Sequence, residues 1–134
     1  EAKYAYEQVL AHRPQAADVM AELARVQAEL LQQPSAAHEL AERAYALAPE
    51  QASVAETFGW ILLQQGHTDT ALPLLREAAA AQPSSGEAQY HYAVALMKRG
   101  DTRAAREAME RAKGLSPALA DAQLAKKALG TPAR

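Results

Sequence analysis

The chain has no cysteine. That removes disulfides, thiolate metal ligands and cysteine redox chemistry, and leaves the compartment open. Rings are scarce too: one tryptophan, one phenylalanine and five tyrosines among 134 residues. A core of large packed rings is therefore excluded, and the interior has to be thin and built by stacking. No apolar run approaches the roughly 20 residues that a membrane-spanning helix needs, and no secretory signal pattern opens the chain. It begins at Glu1, inside what reads as half of a helical unit, so a segment of a longer protein is expected.

Catalytic patterns are equally missing. His12, His38, His67 and His91 fall in separate segments, and none belongs to an HExxH or another metal-ligand spacing. No Glu-x-x-His pair suggests a di-metal helical bundle, and neither a nucleophile elbow nor a phosphate loop is present. The reading is a non-enzyme with no catalytic residue, no cofactor and no metal. A net charge of −2 argues against nucleic acid as a partner. The charge is uneven: residues 1–66 carry 9 acidic and 4 basic side chains, residues 67–134 carry 7 and 10. Solvated helix faces with i,i+4 pairs such as Glu107–Arg111 account for most of it.

What is abundant is alanine, the best helix former and a residue that lets helices pack closely. The most informative stretch is Ala55–Pro83. Phe58, Leu62 and Gln65 share one helical stripe, with Ile61 beside it. Gly59 interrupts that helix at about 1 kcal/mol relative to alanine, which predicts a second helix passing close to the backbone. Gly66 ends it in a left-handed turn. Thr68 and Asp69 offer oxygens to cap the next helix, whose Ala71, Leu75 and Ala78 share a face. Pro73 stands near its start, and Pro83 takes Gln82 out of helical geometry.

The punctuation repeats. Prolines at 14, 49, 83 and 117 are separated by 35, 34 and 34 residues. Two helices per period of about 34 residues point to a solenoid. The chain resembles a tetratricopeptide-repeat (TPR) array over nearly its whole length. A large residue followed by a small one occurs at Phe58-Gly59 and Tyr92-Ala93, and turn glycines stand at Gly66 and Gly100. The second-helix pattern of alanine, bulky residue and alanine is matched by Ala71, Leu75, Ala78 and by Ala105, Met109, Ala112. Pro83 and Pro117 close the units. The resemblance implies an all-α, right-handed α-α superhelix of antiparallel helix pairs. More loosely, the run GWILLQQG…YHYAVALMKRGD and the Ala/Arg-rich composition resemble bacterial envelope and exopolysaccharide assembly arrays.

One domain over 1–134 is expected. Residues 1–14 read as the second helix of a truncated repeat, with Ala2, Tyr6 and Val9 in its pattern places. Repeats follow at 17–49, 52–83 and 86–117. The first has Leu23-Ala24 as its pair but a turn, Leu31–Ser35, with no glycine and one extra residue. Its second helix carries Ala37, Ala41 and Ala44, with alanine where a bulky residue is usual, so it is expected to be the loosest. In the third, Ser84 and Ser85 can cap a helix with Glu87 in its first turn. Residues 118–130 read as a solvating end helix, with Lys126-Lys127 breaking the pattern.

In this family the first helices line the concave side. The resemblance places Ala21 and Arg25, then Glu56, Trp60, Leu63 and Gln64, then Glu87, Tyr90, Val94, Met97 and Lys98 along that groove. Trp60 and Tyr90 form an expected aromatic centre with Leu63, Val94 and Met97 around it, and Arg25, Glu56, Glu87 and Lys98 as a charged rim. The known carboxylate-clamping class of the family needs a basic and asparagine-rich set. The matching places here hold Ala21, Arg25, Thr57, Glu87 and His91, of which Arg25 alone suits, so chaperone-tail binding is not implied. The expected function is a scaffold that binds a protein partner's peptide or helix in a mildly apolar groove. Two alternatives are a structural module that self-associates weakly through its N-terminal edge, and the docking arm of a larger enzyme.

Overall fold

The computed structural model describes residues 16–116, which form six helices and no strand. They are α1 (Ala17–Glu29), α2 (Pro34–Leu47), α3 (Ala52–Gln64), α4 (Thr68–Ala81), α5 (Gly86–Arg99) and α6 (Thr102–Leu115). Residues 1–14 and 118–130, expected to be helical, lie outside the described residues.

Each odd helix packs antiparallel on the even helix that follows it, and the pairs stack in order. Helices α1, α3 and α5 also touch one another, whereas α2, α4 and α6 make no comparable contact among themselves. Crowding on one side and splaying on the other bends the stack. The odd helices therefore form the inner, concave layer of a right-handed superhelix.

The helix ends explain the period. Ala48, Gln82 and Ser116 all leave the helical region, and their amides donate to the carbonyls of Ala44, Ala78 and Ala112. Pro49 and Pro83 follow, where the residue before a proline is pushed out of helical geometry. After α3, His67 N–H reaches Leu62 O at 2.9 Å and Gly66 N–H reaches Leu63 O at 3.0 Å. Gly66 has φ +89°, so this is the left-handed glycine closure expected from the sequence. After α5, Asp101 and Gly100 repeat it with Leu96 and Met97, and Gly100 has φ +98°.

The first turn differs. Helix α2 begins 17 residues after the start of α1, whereas α4 and α6 begin 16 after α3 and α5. The extra residue widens the closure: Gln33 N–H reaches back six residues to Gln27 O at 2.8 Å, rather than five. Gln32, with φ +52°, takes the left-handed place that glycine holds in the other turns.

Three local expectations are corrected. Neither Thr68 nor Asp69 caps α4; its N-cap is His67, which makes no side-chain bond there, because Thr68 and Asp69 are already helical. The one side-chain cap among the described helices is Ser85, whose Oγ accepts from Ala88 N–H at 3.1 Å. Pro73 is the sixth residue of α4 rather than a start residue, so the Asp69 carbonyl loses its usual i+4 donor. Pro73 is exposed, and water can satisfy that oxygen. Finally, Arg103 pairs with Glu107 at 3.7 Å, while Arg111 donates to Gln89 Oε1 at 3.2 Å. The long Arg111 side chain reaches the neighbouring helix instead of its own.

Packing follows the alanines. Ala37, Ala41, Ala44, Ala71, Ala78, Ala105, Ala108 and Ala112 are all buried at the seams between helices. Leu75 lies over Gly59: a Cβ on that glycine would stand 2.9 Å from Leu75 Cγ. The close approach anticipated from a mid-helix glycine is thus a leucine side chain seated on bare backbone. Burying a leucine of this kind contributes roughly 1.5–3 kcal/mol.

Candidate functional site

The inner layer encloses a cleft of about 140 Å³ between α1, α3 and the start of α5. Arg25 and Glu29 come from α1, Glu56, Trp60 and Gln64 from α3, and Glu87 and His91 from α5. On each helix these residues recur at spacings of three or four, so one helical stripe faces the cleft.

A buried polar relay ties the second pair to the third. His91 Nδ1 lies 2.8 Å from Glu56 Oε2, and Gln82 Nε2 donates to Glu56 Oε1 at 3.1 Å. The Trp60 ring stacks on His91, with centroids 4.1 Å apart and planes 24° from parallel. Both Glu56 and His91 are buried, and a buried charge has to be paired in this way to be tolerated. At the other wall Arg25 is hydrogen-bonded to Glu22 and stands 4.0 Å from Glu87. Burial alone would lower the Arg25 pKa, but the Glu22 hydrogen bond and the charges of Glu22, Glu29 and Glu87 outweigh it and raise it. Burial also pushes the Tyr90 phenol up, because the phenolate loses water.

Arg25, Glu56, Trp60, Gln64 and Glu87 of the expected groove residues line this cleft. Leu63, Tyr90 and Val94 are core residues instead, with relative exposures of 2%, 7% and 5%. Ala21 is buried in a smaller cluster with Met20, Ala44 and Val54. Met97 is half-buried against the core and Lys98 is exposed, both outside the cleft lining. Of the expected apolar groove members, Leu63, Tyr90 and Val94 point into the helix seams, while Trp60 lines the cleft with Ala28 and Ile61 among charged and polar side chains. Glu22 and Glu29 were absent from the expected set. Their signal was present, since they stand three before and four after Arg25 on the same helix face. Among the described residues, no group of His, Asp and Glu could hold a metal ion, and no helix is long and apolar enough to cross a membrane.

The chain can now be set beside known proteins. A tetratricopeptide-repeat family model matches residues 57–120. No curated protein matches the chain by sequence. Among solved structures, MamA (residue 41 to the end) from Desulfovibrio magneticus RS-1 is similar with a TM-score of 0.71 and 22% identity, covering 86% of this chain and 64% of that one. MamA of AMB-1 gives a TM-score of 0.69 at 28% identity, covering 95% and 67%. YrrB, a TPR protein with an unusual peptide-binding site, gives 0.69 at 21% identity, covering 87% and 59%. The chain thus spans about two thirds or less of the length of each of these three. Stacked antiparallel helix pairs, a recurring closure every 34 residues at Ala44, Ala78 and Ala112, and the family match over residues 57–120 give the described residues the all-α fold of tetratricopeptide-repeat arrays.

Proposed function

We propose that the chain binds an extended peptide of a partner protein along its concave face, with the cleft at Trp60 as the anchor point. The observation that carries this reading is the cleft itself. It is a concavity on the inner helix layer, with one half-buried tryptophan among charged side chains. An aromatic group surrounded by polar residues is the usual anatomy of a binding hot spot. Glu56, Gln64 and Glu87 would make or orient the polar contacts, with Arg25 in the cleft wall beside them. Met97 and Lys98 would extend the surface along α5, and Leu63, Tyr90 and Val94 would support it from beneath. The description of YrrB as a protein with a peptide-binding site supports the same class of ligand.

The test is Trp60→Ala, measured against peptides selected on the wild-type protein. Affinity should fall by about 2 kcal/mol or more, with circular dichroism almost unchanged. A loss of about 3–5 kcal/mol of stability in thermal or denaturant melts would mean that Trp60 is packing, and the reading would fail.

A further inference from the structure

The cleft's charges say which peptide it would take. Glu22, Glu29, Glu56 and Glu87 line it, against Arg25 and His91. Arg25 and His91 are both already engaged within the protein: Arg25 by Glu22 with Glu87 nearby, His91 by Glu56, which Gln82 holds in place. A ligand carboxylate would have to break one of these pairs and enter a net-negative site. The carboxylates are less committed. Glu87 is 59% exposed at its side chain and stands 4.0 Å from Arg25, at the limit of an ion pair. Glu29 is exposed and makes no hydrogen bond or ion pair among the described residues. Trp60 lines the same cleft, and a cation over an indole ring is favourable. A volume of about 140 Å³ suits one long side chain rather than a helix.

We propose that the cleft is a receptor for a basic side chain, an arginine or lysine of an extended peptide, seated against Trp60 between Glu29 and Glu87. This rests on the reading that the cleft is the binding surface. Arg25 then acts as an internal competitor: its charge stands beside Glu22 and Glu87 and partly repels the incoming cation. Its removal should strengthen binding, the reverse of what a carboxylate-binding groove would show.

The experiment is selection of a random phage-displayed peptide library on the immobilised chain, followed by titration of one enriched synthetic peptide. Enriched sequences should be rich in Arg and Lys. The peptide should bind about tenfold more weakly to the Glu29→Gln/Glu87→Gln variant, equally or more tightly to Arg25→Ala, and less tightly as salt rises. Both glutamates are exposed, so these neutral changes should leave the melt unchanged. If Trp60-dependent peptides are enriched in Asp or Glu, or need Arg25, the cleft reading stands and the basic-ligand inference is wrong. If no enriched peptide loses affinity for Trp60→Ala, the cleft reading itself is wrong.

Discussion

The α1–α2 pair and the α3–α4 pair share one plan but fill it differently. Superposing the starts of α1 and α3 in register puts Gln27 where α3 has Leu62, and Ala24 where it has Gly59. In the second helices Ala41 stands where α4 has Leu75. The α3–α4 seam therefore has a large knob on a bare backbone, and the α1–α2 pair has two small residues and a polar one at the matching places. Burial shows the consequence. Leu62 and Leu75 belong to the main core cluster, while Gln27 Oε1 is buried without a hydrogen-bond partner. Ala17, Met20, Ala21, Ala44 and Ala48 of the first pair also form a separate small cluster with Val54 of α3. Repeat architecture tolerates such unevenness because each pair has only to match its neighbours.

The largest expected effect comes from the knob. Leu75→Ala should lower stability by about 2–5 kcal/mol, whereas Leu40→Ala, at a half-buried site in α2, should lower it by much less. Urea melts of the two variants compare the seams directly, and equal losses would show that they are packed alike.

Next is the backbone beneath the knob. Gly59→Ala gains about 1 kcal/mol of helix propensity, yet its Cβ would meet Leu75 Cγ at 2.9 Å. Overpacking of about 1–3 kcal/mol should win. The third pair has Ala93 and Met109 in these places. Gly59→Ala combined with Leu75→Met should therefore recover most of the loss, since flexible methionine fills irregular gaps. A double-mutant cycle reads that coupling, and strict additivity would refute the contact.

Gln27→Leu should then make the first seam resemble the others. Removing a buried, unpaired amide oxygen and supplying the leucine found at 62 and 96 should raise stability by roughly 1–3 kcal/mol. A lower melting temperature would mean that the amide makes a bond that leucine cannot replace.

The smallest effects concern the turns. Gly66→Ala puts a Cβ at φ +89°, with nothing within 4 Å to clash, so the loss is conformational and about 1–2 kcal/mol. Gln32→Gly relieves the same kind of conformation at φ +52° and should gain up to about 1 kcal/mol, reduced by the entropy of the unfolded chain. Opposite shifts in melting temperature would confirm that the two turns do one job with different residues.

Much of this was legible in the chain. The prolines, turn glycines and alanine stripes are local signals, and each acts within a few residues of itself. They determined the helix pairs, the period, the tight backbone approach at Gly59 and even the extra residue in the first turn. The resemblance to the repeat family also implied that Arg25, Trp60 and Glu87 stand on the inner helices. What sequence could not separate was groove from seam. Leu63, Tyr90 and Val94 occupy inner-helix positions just as Trp60 does, and only the rotation of each helix against its neighbours sends them inward. The same rotation brought Glu56, Gln82 and His91, from three different parts of the chain, into one hydrogen-bonded relay. It also gathered Glu22, Glu29, Glu56 and Glu87 around one cleft. Helix phase is set by the summed packing of side chains from adjacent repeats, a non-local quantity that no single repeat contains.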